Sequence, residues 1–198
     1  EKIKIIKRDI PLTKVLNYDL VKNTPFCFGH SRLITNGLKD NQPVILDKNI
    51  LVHNGIIVNH EEVFEKNNLN RKFKLDSEAI ISIFNDCNSK NISTKDTINK
   101  ILEECYGTIS SVIYSTDVNK MILFSNNGSL YTGLKNDALF FSSEEYPLKE
   151  MECHSIKKVF KPVIYDLSYI KQIKKAEIII DERNTRNLDL IPSLGILN

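Results

Sequence analysis

The chain has 198 residues, 41% hydrophobic and 26% charged, an ordinary globular composition with enough apolar material for one sizeable domain or two small ones. Its 27 basic and 25 acidic residues leave a net charge of +2, which gives no electrostatic reason to expect nucleic acid or a membrane surface as partner. The longest apolar runs, such as 121–124 and 138–141, fall far short of the ~20 residues that span a bilayer.

No charged-then-apolar leader opens the sequence, so no signal peptide is expected. Cys27, Cys87, Cys105 and Cys153 stand far apart and form no CxxC pair. Cys153-His154 is the one adjacent pair of metal-ligand types, and one pair is not a site. Reduced thiols, a cytoplasmic location, no metal and no cofactor are the expectations.

Taken in order, Ile3, Ile5 and Ile6 among lysines predict an opening strand. Leu12, Val15, Leu16 and Leu20 fall at helical spacing and predict an amphipathic helix over 12–23, ended by Pro25. Residues 26–32 read as a strand and 33–43 as a loop. Two apolar triplets, 44–46 and 50–52, flank Asp47-Lys48-Asn49 and predict a β-hairpin ending at His53-Asn54-Gly55. A short helix is expected over 60–67. Asp76 can cap a helix to about residue 86, with Ala79, Ile80, Ile83 and Phe84 on one face. Thr94 can cap another to Glu104, stopped by Gly107.

From Thr108 onward the period becomes that of strands. Segments 109–115, 120–124, 130–132 and 138–142 are separated by turns at 126–128 and 135–137, which reads as an antiparallel meander. Further strands are expected over 156–160 and 162–167. Strands, then helices, then strands again exclude a doubly wound parallel sheet and predict an α+β fold, sheets packed on helices.

Three segments carry the residues suited to chemistry. Arg32, at a strand end, is either a surface ion-pair partner or a two-pronged clamp for a carboxylate. Asn54-Gly55 is either a plain turn or an oxyanion hole built from a side-chain amide and an exposed N–H. Asp76 is either a helix cap or an anionic partner for a ligand ammonium. One clamp for a carboxylate and one for an amine would describe an amino-acid site.

In this order the segments resemble the class II glutamine amidotransferases. The resemblance rests on Gly29-His30-Ser31-Arg32 with Thr35-Asn36-Gly37, on Asn41-Gln42-Pro43, and on Val52-His53-Asn54-Gly55-Ile56-Ile57. Asp76-Ser77-Glu78, Ser125-Asn126-Asn127-Gly128 and Phe141-Ser142-Ser143-Glu144 continue it, across roughly residues 1–170. It implies an N-terminal-nucleophile hydrolase-like αββα sandwich of two antiparallel sheets with packed helices. The domain is expected over 1–177, with 178–198 a tail or linker. The resemblance further implies glutamine as nitrogen donor. Arg32 would hold its α-carboxylate and Asp76 its α-ammonium, with Thr35 and Asn36 lining the pocket. Asn54 and the N–H of Gly55 would stabilise the oxyanion, while His30 and His53 would hold strand ends in place.

The family begins with a cysteine whose thiolate attacks the amide and whose own α-amine shuttles the proton. Here residue 1 is Glu1, and every cysteine is internal. The expectation is a glutaminase domain whose front segment lies outside this sequence, passing ammonia to an acceptor domain or subunit. The residues here would be inactive alone. The competing reading is a catalytically inactive glutamine-binding or regulatory module of the same fold.

Overall fold

The computed structural model describes residues 2–7, 24, 26–31, 41–167 and 177–182. Its elements run β1 (Lys2–Lys7), β2 (Val44–Leu46), β3 (Asn49–Ile57), α1 (His60–Lys66), α2 (Glu78–Ser89), α3 (Thr94–Glu104), β4 (Gly107–Ser115), β5 (Lys120–Ser125), β6 (Tyr131–Lys135), β7 (Ala138–Ser142), α4 (Glu145–Glu150), β8 (His154–Lys158), β9 (Val163–Asp166) and β10 (Glu177–Glu182). An antiparallel sheet of five strands has the order β2-β3-β4-β5-β9, and one of three has the order β7-β6-β8. β1 and β10 form a separate parallel pair.

The central strands β3, β4 and β5 are buried on both faces, which is why they read as continuous apolar runs. Alternate side chains enter two different cores. Leu51, Ile57, Ile109, Ile113, Ile122 and Phe124 pack against helices α1–α3. Ile50, Val52, Val112, Tyr114, Met121 and Leu123 pack against Leu130, Val159 and Ile5, with Phe141 of β7 at the margin. The three-stranded sheet is therefore the neighbour on that side, and α4 packs against its strands. Two antiparallel sheets with helices packed on them are the architecture expected from the sequence. Among the described residues no helix is long and apolar enough to cross a membrane.

The hairpin forms where expected. Its two-residue turn is set by the Leu46–Asn49 pairing, and Asp47 takes a left-handed φ of 55° that aspartate tolerates. β3, however, does not stop at Gly55; it continues to Ile57, because β4 pairs with it throughout. The expected meander is divided between the two sheets: β5 pairs with β4 and β9, and β6 with β7 and β8. The turn at 126–128 is not a hairpin because local side chains take its backbone groups. Ser125 Oγ accepts from Gly128 N at 3.0 Å, and Asn127 Oδ1 accepts from Ser129 N at 2.9 Å.

Residues 26–31 are not a strand, yet their alternation is used: Phe26 and Phe28 enter the inter-sheet core, Phe26 with its ring 4.9 Å from that of Tyr114. α3 is capped by Ser93, whose Oγ accepts from Asp96 N, rather than by Thr94. α2 is buried nearly all round, Ala79 to Phe84 without a break, because it lies between β2–β3 and the other two helices. The strands expected over 156–160 and 162–167 are displaced slightly, to β8 and β9. No element was expected where α4 forms, and β10 covers the first residues of what was expected to be a tail or linker. The helix expected over 12–23 lies outside the described residues.

Two glycines allow β3 and β4 to approach. A Cβ on Gly55 would collide with the Thr108 carbonyl, and one on Gly107, at φ 129°, would collide with the Ile56 carbonyl. Gly107→Ala is expected to lose more than about 2 kcal/mol, from strained φ and a backbone clash that no side chain can relieve. Gly29, with no described atom within 4 Å of such a Cβ, is the control, and its alanine variant should stay within about 0.5 kcal/mol of the parent. Urea midpoints at constant slope measure both.

Candidate functional site

Strand pairing decides where each peptide group of β3 points. Ile109, opposite Gly55, uses both its backbone groups on Asn126: its N–H donates to Oδ1 at 2.8 Å and its carbonyl accepts from Asn126 N at 3.0 Å. Gly55 and Ile109 are thus a non-hydrogen-bonded pair, and the Gly55 N–H points away from β4. It points to the side where β2 pairs. β2 pairs no further along β3 than Val44–Leu51. Beyond that point side chains replace it. The His53 N–H donates to Gln42 Oε1 at 2.6 Å, and the Ile57 N–H donates to Asp76 Oδ2 at 2.7 Å. Gly55 stands between them, and no described residue takes its N–H.

The two faces of the same strand differ. His53 turns toward the helices and is buried, with 1% of its surface exposed. Its Nε2 lies 3.1 Å from the Thr108 carbonyl, an acceptor only, so Nε2 carries the proton. Nδ1 then accepts from the Ser77 hydroxyl at 2.9 Å. Burial pushes the His53 pKa below the usual imidazole value, against an upward pull from the Thr108 carbonyl and the Asp76 charge. This ring is a neutral clip between the end of β3 and the start of α2, the structural role expected of it.

Asp76 is not a helix cap. α2 is preceded by Ser77, which makes no side-chain cap bond, and one oxygen of the Asp76 carboxylate bonds β3 instead. The approach to it is held by Glu78, buried at the first turn, whose carboxylate accepts from Lys72 N at 2.6 Å and Phe73 N at 2.7 Å. Burial raises the Glu78 pKa, and these two amides with Arg71 and Lys72 offset part of the rise.

Asn54 turns to the opposite face, on the inter-sheet side, and is exposed. Across the strands it lies in register with Ser110, and Ser110 with Ser125. The two hydroxyls are 3.0 Å apart, and both donate to Asn127 Oδ1 at 2.9 Å. The sequence reading missed Ser110. The signal was a break in an apolar strand, Ser110-Ser111 between Ile109 and Val112.

The structure therefore brings Asn54, Gly55 and Asp76 to one end of β3. Arg32, Thr35 and Asn36 lie outside the described residues. Cys87 and Cys105 are buried in the helix-side core. Burial pushes the Cys105 thiol up to about 12 and raises that of Cys87. A cavity of about 280 Å³ beside α1, lined by Asn59, Glu62, Val63, Lys66, Glu104 and Tyr106, contains none of the expected site residues. Among the described residues no cluster of histidine, cysteine and acidic side chains could hold a metal.

A profile of the family described as glutamine amidotransferase domain matches residues 30–150. Among solved structures the chain is similar to the glutamine phosphoribosylpyrophosphate (PRPP) amidotransferase from B. subtilis complexed with ADP and GMP, with TM-score 0.57 and 21% identity. It is also similar to the allosteric regulatory enzyme of purine biosynthesis, with TM-score 0.57 and 22% identity. Each match covers 69% of this chain and 32% of the other, so the chain spans about a third of their length. These likenesses establish the fold. No curated protein matches the chain in sequence.

The His53 clip sets a pH dependence. Its folded pKa lies below the ordinary 6.5, so the stability it allows is complete above that pH and declines as the pH falls below it, where the unfolded chain binds the proton more readily. Ring nitrogen NMR should show the Nε2-protonated neutral form persisting below pH 6.5. Ser77→Ala, which strands Nδ1, should cost about 1–3 kcal/mol. A ring that titrates at 6.5 or above would refute this assignment.

Proposed function

Because the chain belongs to the glutamine amidotransferase domain family, we propose that it is the glutaminase part of such an enzyme, releasing ammonia from the glutamine side chain for an acceptor held by another domain or subunit. In this reading Arg32 holds the α-carboxylate of glutamine and Asp76 its α-ammonium. Thr35 and Asn36 line the pocket. A thiolate attacks the amide carbon, and the carbonyl oxygen becomes an oxyanion held by the Asn54 side-chain amide and the Gly55 N–H. Collapse of that intermediate expels ammonia and leaves a γ-glutamyl thioester, which water cleaves to glutamate and free thiol.

The observation that carries this reading is the spacing along the open edge of β3. The Gly55 N–H is unclaimed among the described residues, and the Asp76 carboxylate sits 2.7 Å from Ile57 N, two residues on. At the rise of a strand those two points are roughly 6–7 Å apart. That is the reach of an extended glutamine from its ammonium to its amide carbonyl. One Asp76 oxygen is occupied by Ile57, and the carboxylate retains acceptor sites for an ammonium.

The thiol of this mechanism needs its own α-amine as proton shuttle, and no internal cysteine has one. Buried Cys87 and Cys105, with thiol pKa values raised, are unsuited to attack in any case.

In the full-length protein Asn54→Ala is expected to cut glutamine turnover by ~10²–10³ with the fold intact, the usual effect of losing one oxyanion donor. Asp76→Asn should act chiefly on the KM for glutamine. Turnover unchanged by Asn54→Ala would remove the glutaminase reading.

A further inference from the structure

The pairing register of β2 and β3, Leu46 opposite Asn49 and Val44 opposite Leu51, places residue 42 opposite His53 if it is continued. Gln42 is indeed there, but its main chain is not in the ladder. Its N–H donates instead to Asn41 Oδ1 at 2.8 Å. The side-chain amide does the pairing: Oε1 accepts from His53 N at 2.6 Å and Nε2 donates to the His53 carbonyl at 2.6 Å. A primary amide has the donor and acceptor pattern of a peptide group, so Gln42 completes a ladder rung at a side chain's remove. The residue is buried, and Lys7 Nζ bonds the Asn41 carbonyl next to it at 3.0 Å.

This substitution has a consequence one rung further on. Had the main chain of β2 continued in the ladder, the next hydrogen-bonded rung would have closed on the Gly55 N–H. Pairing through a side chain satisfies the buried His53 groups while the Gln42 main chain stays out of the ladder, and among the described residues nothing takes the Gly55 N–H. We propose that Gln42 is a positioning residue for the oxyanion site: by standing in for a strand residue at His53, it fixes the end of β3 and keeps the Gly55 N–H free for ligand. This rests on the glutaminase reading given above, and it assigns a task to the Asn41-Gln42-Pro43 motif that the reading leaves unused.

Two measurements test it. The first needs no variant. In the unliganded full-length protein, amide hydrogen exchange should be slow at His53 and Ile57 and at least ~100-fold faster at Gly55, as expected of an unpaired group between two paired ones. A Gly55 N–H protected without ligand would overturn the proposal. The second is Gln42→Glu, which keeps the shape but places a carboxylate against the His53 carbonyl. Near neutral pH kcat should fall about tenfold or more through misalignment of one oxyanion donor, with KM changed by less than about threefold. A protonated carboxyl restores both the donor and the acceptor. The ratio of variant to wild-type kcat should therefore climb toward one as the pH is lowered. A purely structural role would lower stability without that recovery in kcat. Asn54→Ala in the same assay separates the two ideas. If it loses turnover while Gln42→Glu keeps wild-type kcat, the Gln42 role is wrong and the glutaminase reading stands. If Asn54→Ala keeps turnover, the glutaminase reading itself fails. Should Gln42→Glu not fold, the exchange pattern of the unaltered protein decides.

Discussion

β3 runs to Ile57, but β2 pairs with it no further than Leu51. The remaining edge carries backbone groups that a folded chain cannot leave unpaired in its interior, and an unguarded edge is also a template for unwanted pairing. Two side chains from distant parts of the sequence close it. Gln42 takes both groups of His53, and Asp76 takes the N–H of Ile57. Among the described residues, what they leave between them is the N–H and carbonyl of one glycine, Gly55. The candidate site is in this sense the remainder of an edge-closing problem, and its geometry follows from where the substitutes sit.

The same strand also divides labour between its faces. Odd positions turn to the helices, where His53 ties β3 to Ser77 and so fixes the start of α2. Even positions turn to the inter-sheet side, where Asn54 is exposed in register with the bonded row of Ser110, Ser125 and Asn127. Glu78 holds the segment that delivers Asp76 by binding two of its backbone amides. Most of the polar groups around the site therefore bond other protein groups and set positions. Among the expected residues described, Asn54, Gly55 and the second oxygen of Asp76 have bonding capacity to spare.

Much of this was legible in the amino-acid pattern, within limits that have physical causes. Apolar periodicity located α1, α2, α3 and the hairpin, because a period reports which side chains are buried. It does not report which strand pairs with which. The run of strands after Thr108 therefore read as one meander, whereas the side chains of Ser125 and Asn127 end the pairing and send the chain into a second sheet. Asp76 read as a cap because aspartate before a helix often is one; its true partner is 19 residues away and invisible to a local rule. Gln42 was noticed as part of a motif, but no pattern reveals that a side chain will act as a strand. Asn54, Gly55 and Asp76 were singled out as glutamine-handling residues and do converge, whereas Arg32, Thr35 and Asn36 lie outside the described residues.

The parallel pair β1–β10 joins Lys2 to Glu177 and Lys7 to Glu182, so nearly the whole chain is the crossover between two adjacent strands. The entropy of closing so long a loop is recovered only once the intervening sheets exist, whereas the β2–β3 hairpin closes over a turn of two residues. Ile5 of β1 is buried in the inter-sheet core, so that core is complete only when β1 is in place. β1 and β10 share no ladder with the five-stranded sheet, so parting the clasp they form would break none of its rungs. The inter-sheet face, where Asn54 lies, would then be wetted while the helix-side core stays intact.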